Sequence, residues 1–339
     1  MIRKKKMCNT KKKKLLDAQI KGKKLKKEYK LLKKQQNKEK KREQKNDAIK
    51  LKKKLAERER RKNKKILSND EHDQKILNSI HEIINTNQKF KKHFDFTYHT
   101  QVYEPKQIIM NVIKHIKYAI PWNVTEQIPA STVYGCYSKM KKLKILEKVY
   151  ITNLQFKINE ELKNNKNNTC TMSDVTCVSN KYGIDKVEYN GQKKRKVTKI
   201  SLITYGKYPI SHKIDYGARH DSKILYEQLN NSYNININVL QSNNEYFLAD
   251  SAYDWNKLKE KLIKMKYVPI IGNNKRNNKM NHDSLFTSEE KKVYRERIKI
   301  EHTNRIIKNH RRVNCRYDRT IESFQESLLL SFIDLILNQ

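Results

Sequence analysis

The chain has 339 residues and a formal net charge of +40, so we expect its partner to be a polyanion. Its five cysteines are odd in number and lack CxxC pairing, which argues against a disulfide framework and against a structural zinc site. Because no segment has the pattern of a signal peptide or a transmembrane helix, we expect a soluble intracellular protein without a membrane partner.

The first 70 residues are strongly basic, with 31 Lys and Arg against 8 Asp and Glu. A segment with so few apolar residues cannot bury a core of its own. We interpret residues 1–70 as a disordered or transiently helical arm that condenses on DNA. The runs Lys4–Lys6 and Lys11–Lys14 also suit nuclear import, which stays open as an alternative. A membrane-surface role is less favoured, because no apolar face accompanies the charge.

Residues 71–160 are predicted to form a helical domain. Residues 107–118 have helical apolar spacing, Pro121-Trp122-Asn123 breaks that helix, and Ser131 offers an N-cap for a second helix that runs from Thr132 to Lys142. This order within residues 104–150 predicts a helix-turn-helix-like unit that reads DNA through the major groove. An ordinary small helical domain is the alternative.

Residues 165–339 have the pattern of an α/β domain, with Asp174 inside its first strand and Asp250 at the end of a later one. In chain order we predict a strand at 172–180, a hairpin of strands at 197–204 and 208–214, a helix at 223–229, a strand at 246–250, a helix at 255–266, a strand at 267–271, an acid-bearing helix and a closing core helix around 328–337. This order is that of a ribonuclease-H-like (retroviral-integrase-like) fold, and the chain is long enough to bury its core.

The acid-bearing helix presents four polar side chains in one register: Tyr294, Arg297, Glu301 and Lys308. At about 100° per residue they fall within an arc of about 60°, beside an apolar seam of Val293, Ile300 and Ile307. An acid that holds a metal, flanked by groups that hold phosphates, is suited to cutting DNA. The alternative is a solvated helix face whose charges merely match this spacing.

The spacing Tyr-x2-Arg-x3-Glu-x6-Lys resembles the signature of the DDE transposases of insertion-sequence families four and five. Asp174-Val175-Thr176 resembles the first acidic motif of these families, with Val175 in place of the usual Ser or Thr. Asp250 and the four residues after it resemble the second motif. Asp174, Asp250 and Glu301 are 76 and 51 residues apart, which is similar to the compact branch that lacks an insertion. Pro121-Trp122 and residues 131–134 also resemble the front of family-five-like members.

This resemblance implies a reaction and a role for each residue. Asp174, Asp250 and Glu301 would bind two Mg²⁺ or Mn²⁺ ions, and the protein would cut DNA at the ends of its mobile element and join the 3′ ends to target DNA. Arg297 and Lys308 would hold phosphates, and Tyr294 would position the DNA backbone. The partners would be double-stranded DNA, as terminal inverted repeats and as target. A homodimer or higher oligomer would act on the paired ends.

Arg311, Arg312 and Arg316 belong to a run that also resembles the family. They are interpreted either as further phosphate contacts or as a charged turn before the last helix, and the sequence leaves both open. Two other classes of function also stay open: a catalytically inactive DNA-binding protein and a structure-directed DNA nuclease on the same fold. The expected location is on DNA, whether in the cytoplasm or nucleoid, the nucleus or a viral factory.

Overall fold

The computed structural model describes residues 70–94, 103–125, 127–163, 170–230, 245–272 and 286–338. These residues belong to one compact unit that spans Asp70–Gln339. The basic arm predicted for residues 1–70 therefore lies outside the described residues, except for Asp70. Within the described residues, no helix combines the length and the apolarity needed to cross a membrane.

Within the described residues, five helices precede the sheet, and their apolar spacing places one face of each in the core. They are α1 (residues 70–86), α2 (Gln88–Phe94), α3 (Pro105–Tyr118), α4 (Ala130–Lys142) and α5 (Ile145–Lys163). Residues 119–129 connect α3 to α4, whereas a DNA-binding helix-turn-helix usually has a turn of three or four residues. Helix α4 begins one residue before the predicted cap Ser131, because the extended backbone of Pro129 already provides the N-terminal boundary.

The sheet contains both antiparallel and parallel strand pairs. Its strands are β1 (Thr171–Asn180), β2 (Glu188–Asn190), β3 (Arg195–Tyr205), β4 (Tyr208–Tyr216), β5 (Glu245–Ala249), β6 (Tyr267–Ile271) and β7 (Cys315–Arg316). Strands β2-β3-β1-β5-β6 lie in that order, while β4 pairs with β3 and β7 pairs with β1. Strand β3 is antiparallel to β1 and β4, whereas β1, β5 and β6 are parallel. This mixed order fits a ribonuclease-H-like core, and Gly206 (φ 58°) makes the predicted hairpin turn.

The remaining helices cover the sheet and close the core. They are α6 (Asp221–Asn230), a 3₁₀ turn (Ser251–Tyr253), α7 (Asn256–Lys264), α8 (Ser288–Arg295), α9 (Ile298–Ile307), α10 (Arg311–Asn314) and α11 (Ile321–Leu337). Helix α11 is buried along most of its length and packs against α3, α5, α9 and β4. Because an all-round apolar helix is stable only inside a core, the prediction of a closing core helix is confirmed.

The predicted single helix that carries Tyr294, Glu301 and Lys308 is two helices, so that prediction is wrong. Helix α8 ends at Arg295, and the amides of Glu296 and Arg297 donate to carbonyls three residues earlier rather than four. Helix α9 then begins, with Lys308 as its C-cap. Ile300 and Ile307 are fully buried as expected. The 100° spacing therefore holds within α9 but does not extend back to Tyr294.

Candidate active site

Two aspartates lie next to each other at one edge of the parallel strands. Strand β1 pairs with β5 so that Met172 is opposite Leu248, and the same register continued by two residues places Asp250 beside Asp174. Asp250 follows the last residue of β5, and its side chain accepts a hydrogen bond from the Ala252 amide. This bond fixes the carboxylate at the carboxyl end of the strand, where α/β folds commonly bind ligands.

The Asp174 carboxyl is partly buried, and this burial raises its pKa to about 6. The nearby Arg297 guanidinium opposes the rise in pKa, whereas the charges of Asp250 and Asp221 add to it. A positive charge placed beside Asp174 would favour the ionised form of its carboxyl. The electrostatics of this edge therefore favour a bound cation.

Helix α9 is attached to the sheet through polar contacts beside Asp174. The Asn304 side-chain amide donates to Asp174 Oδ2 at 2.7 Å, and Lys308 Nζ donates to the Cys177 carbonyl at 3.0 Å. The buried Asn304 Oδ1 has no hydrogen-bond partner among the described residues. Sequence reasoning missed Asn304, although it lies one turn after Glu301 on the same helix. Lys308 was predicted to hold phosphate, and here at least one of its donors is bonded to the sheet.

The remaining members of the predicted register lie around Arg297. Arg297 Nη2 donates to Glu301 Oε1 at 2.9 Å, and its guanidinium carbon is 5.9 Å from the Tyr294 ring centroid. The Glu301 side chain is 54% exposed. A Cβ atom added to Gly272 would lie 3.4 Å from the Tyr294 hydroxyl, so this tyrosine approaches the end of β6 next to the aspartates.

The three predicted carboxylates are close in the fold but do not converge on one point. Among the described residues, no three His, Cys, Asp or Glu side chains form a group that could hold a metal ion. Asp174 and Asp250 are adjacent, whereas Glu301 is directed to Arg297. The Arg297 guanidinium thus provides the positive charge at this site.

Arg312 and Arg316 are buried and bonded inside the protein. Arg312 donates to Asp318 and to the carbonyls of His115 and Ile120. Arg316 is fully buried, and it donates to Asp185, to the Thr198 hydroxyl and to the carbonyls of Asp185, Asp318 and Arg319. Contact of either side chain with DNA would require these bonds to break. Arg311 is exposed at the start of α10.

Exposed cations that the sequence did not single out lie beside the end of α9. The β2–β3 turn and the start of β3 expose four basic side chains, Lys193, Lys194, Arg195 and Lys196. Burial lowers the pKa of Lys308, and the charges of Lys193 and Arg195 lower it further. This effect requires the turn to be near Lys308. The turn and α9 therefore form one positive surface next to the aspartates.

Comparison with known proteins identifies the sheet-containing part of the chain. Residues 169–333 match the family model of the transposase DDE domain. Among solved structures, the piggyBac transposase synaptic complex with hairpin DNA is 10% identical over 68% of this chain and 62% of that chain, with a TM-score of 0.40. The Mos1 transposase paired-end complex with left transposon end is 10% identical over 55% of this chain and 66% of that chain, with a TM-score of 0.23.

This chain thus covers less than two thirds of the piggyBac chain. Among curated proteins, no match was found. The match to the family model includes all three predicted carboxylates, Asp174, Asp250 and Glu301. Residues 169–333, just under half of the chain, therefore resemble a transposase DDE domain.

Proposed function

We propose that this protein cuts DNA at the ends of its mobile element and joins the freed 3′ ends to target DNA by two-metal phosphoryl transfer. The observation that carries the proposal is the placement of Asp174 and Asp250 on neighbouring parallel strands. Helix α9 brings Glu301 to the same edge, because Asn304 on that helix donates directly to Asp174. Asp174, Asp250 and Glu301 are assigned as the catalytic carboxylates.

The donor atoms of the site suit hard divalent ions such as Mg²⁺ or Mn²⁺. Three carboxylates and the unpartnered amide oxygen of Asn304 are the oxygen ligands that these ions prefer. When bound, two ions would activate the attacking hydroxyl and stabilise the departing 3′ oxygen. Glu301 must release Arg297 before it can face the aspartates. The released guanidinium is then available to a phosphate group, two oxygens of which would accept parallel hydrogen bonds.

The positive surface beside the aspartates is assigned to the DNA backbone. Arg297, Lys308 and the exposed Arg311 contribute phosphate contacts, while Tyr294 positions the strand near the end of β6. The basic turn at residues 193–196 extends this surface. Arg312 and Arg316 are assigned to structural roles because their donors are already bonded. The Tyr-Arg-Glu-Lys spacing favours the compact branch of insertion-sequence families four and five.

The proposed partners are the terminal inverted repeats of the element and its target DNA, bound as duplexes. Cutting and joining two ends together requires both ends in one complex, so the active form is a homodimer or a higher oligomer. Helices α3 and α4 are proposed to read the terminal sequence. The basic arm adds contacts that do not depend on sequence, because its charge is attracted to any phosphate backbone.

The proposal is tested with the short inverted repeats that flank the reading frame. Full-length protein is incubated with labelled ends and Mg²⁺ or Mn²⁺, and nicking and strand transfer are measured on a sequencing gel. Asp174→Asn, Asp250→Asn and Glu301→Gln should each abolish cleavage while the affinity for DNA stays within a factor of about three. Glu296→Gln is the matched control, because Glu296 is a nearby acid between α8 and α9 whose partner is Lys299. Specific cleavage by Glu301→Gln would contradict the assignment.

The ion pair between Arg297 and Glu301 favours a second candidate, a protein that binds DNA without cutting it. In that case the guanidinium permanently replaces the metal that Glu301 would help to hold. The same assay separates the candidates. Salt-dependent binding with no metal-dependent nicking in the wild-type protein would support the second one. Cleavage without joining of the 3′ ends would instead indicate a nuclease on this fold.

A further inference from the structure

A cleft of about 660 Å³, whose lining contains none of the three carboxylates, has aromatic side chains on both walls. One wall consists of Trp122, Tyr134 and Tyr137, from α4 and the connection before it. The other wall consists of Tyr182, Ile184 and Tyr317, from the loop after β1 and the segment after β7. The Pro-Trp and Ser-Thr-Val-Tyr motifs thus supply one wall.

The first wall packs against the side chains of His115 and Arg312. The Trp122 ring stacks on His115 at a centroid distance of 5.0 Å and on Tyr137 at 4.7 Å. The guanidinium carbon of the buried Arg312 is 5.4 Å from the Trp122 ring centroid. Tyr134 packs edge-on against this stack at 5.4 Å and is 47% exposed. The Tyr134 ring therefore packs on this stack and is still partly exposed to solvent.

The second wall also exposes apolar surface. Tyr182 is 54% exposed and Ile184 is 69% exposed. The Tyr182 and Tyr317 rings meet at 6.2 Å, and Lys181 Nζ lies 5.2 Å from the centroid of each. Exposed rings this close together are costly to leave in water, which marks the cleft as a binding surface.

The charges at the cleft are suited to a ligand that is both planar and anionic. Lys181 and Arg319 are exposed cations next to or within the lining, and Lys141 is a third, partly buried cation. The acid Asp318 is already neutralised, because it accepts hydrogen bonds from Arg312 and Ser327. Flat aromatic faces with cations at the rim bind bases by stacking and phosphates by charge. A peptide would gain little from these cations unless it were acidic.

We propose that this cleft binds an unpaired nucleotide of DNA, with its base against Tyr134 and Tyr182 and its phosphate near Lys181 and Arg319. The inference rests on DNA being the partner, as in the proposed function, and adds a separate site for a base that has left the duplex. Bases within a duplex do not qualify, because both of their faces are covered by neighbouring bases. Strand β1 spans six residues, or about 20 Å, from Asp174 to Asn180, which lies just before Tyr182 of the cleft. The same length of duplex DNA contains about six base pairs.

The test uses full-length protein without divalent metal and duplexes of equal charge. One duplex carries a single unpaired 2-aminopurine, a second carries an abasic nucleotide at the same place, and a third is fully paired. The unpaired position is moved along the duplex in steps of one nucleotide. Stacking in the cleft should quench the fluorescence of 2-aminopurine and favour the base over the abasic duplex by about tenfold. Equal affinity for these two duplexes would overturn the proposal.

Matched variants assign the quenching to the cleft. Tyr134→Ala and Tyr182→Ala should each reduce the preference for the unpaired base to about one tenth, whereas the Phe variants should keep it because the ring remains. Phe156→Ala is the control, since Phe156 is 61% exposed and does not line the cleft. Circular dichroism checks that each variant is folded. Folded Ala variants that bind and quench as the wild type does would overturn the proposal.

The fluorescence test of the nucleotide site gives its result independently of DNA cleavage. If wild-type protein quenches 2-aminopurine but cuts no DNA when metal is added, the proposed reaction fails and the nucleotide site stands. If wild-type protein cuts and joins DNA but shows no base preference at any position, the nucleotide site fails alone.

Discussion

Replacing Arg316 distinguishes a structural arginine from a DNA contact. The Arg316 guanidinium has five N–H donors, and all five are bonded to acceptors inside the protein. Substitution by Met keeps much of the apolar stem but leaves Asp185 and three backbone carbonyls without this partner. Each buried acceptor that loses its donor costs about 1–3 kcal/mol, so the loss of this network should cost about 3–5 kcal/mol in total. For a unit of this size, that cost corresponds to a fall in Tm of roughly 10 °C.

Arg311→Met is the matched control, because it removes the same charge from an exposed position in the same run. Its Tm should stay within about 1 °C of the wild-type value, since no hydrogen bond of its side chain is found within the described residues. If Arg311 contacts phosphate, the slope of log K against log salt should fall by about 0.9. Thermal unfolding and fluorescence anisotropy at several salt concentrations provide the two measurements.

The reasoning predicts opposite responses in the two variants. Arg316→Met should lose stability and, below its own Tm, keep the wild-type salt slope. If Arg316→Met instead melted as the wild type does and lowered the salt slope by one contact, the buried network would not describe the protein in solution. Arg316 would then be a phosphate contact, which is the other interpretation that the sequence left open.

Three further substitutions test other parts of the structure. Burial raises the pKa of the partly unpaired Glu326 carboxyl to about 8. The stability that comes with the neutral carboxyl is therefore lost as pH rises from about 4.5 to 8, and Glu326→Gln should raise stability by about 3–5 kcal/mol at pH 8 but hardly at pH 4. An equal effect of the substitution at both pH values in chemical denaturation would exclude this cause. A Cβ atom at Gly217 would lie 2.6 Å from two backbone carbonyl oxygens, so Gly217→Ala should lower the free energy of unfolding by about 1–3 kcal/mol. The control Gly191→Ala should not, because a Cβ atom there meets nothing within 4 Å. Equal melting temperatures of the two variants would refute the steric argument. Asn304→Leu removes the hydrogen bond to Asp174 and should slow DNA cleavage by roughly 10- to 100-fold without weakening DNA binding. The control Asn309→Leu, at an exposed neighbouring position, should have no effect. A wild-type cleavage rate in Asn304→Leu would show that Asn304 does not belong to the site.

Local sequence patterns were sufficient for most of the strands. Strand β6 begins at Tyr267 and ends at Ile271 as predicted, and β1 begins one residue before the predicted start. These segments are rich in β-branched and aromatic residues and are bounded by turns, so their signal is local. The two-residue strand β7 was missed, because its pairing with β1 depends on a chain segment more than a hundred residues away.

The break between α8 and α9 could not be predicted, since no Gly or Pro lies between Tyr294 and Ile307. The spacing of Ile300 and Ile307 predicted the buried face of α9 correctly. It did not predict the tighter turn at Glu296 and Arg297, after which Tyr294 approaches β6 and Glu301 pairs with Arg297. Spacing along one helix thus identified which residues gather but not how they face one another.

The buried arginines link the aromatic cleft to the fold of the domain. Arg312 bonds the carbonyls of His115 and Ile120 and lies behind Trp122, so it holds the wall that comes from the helical region. Arg316 bonds Asp185 and Arg319, which flank the second wall on either side. A charged run that resembles a set of phosphate contacts therefore has a different physical effect for two of its members. It bonds the segment before α4 and the loop after β1 to the chain around β7, so we expect these two arginines to affect DNA binding through the positions of the cleft walls.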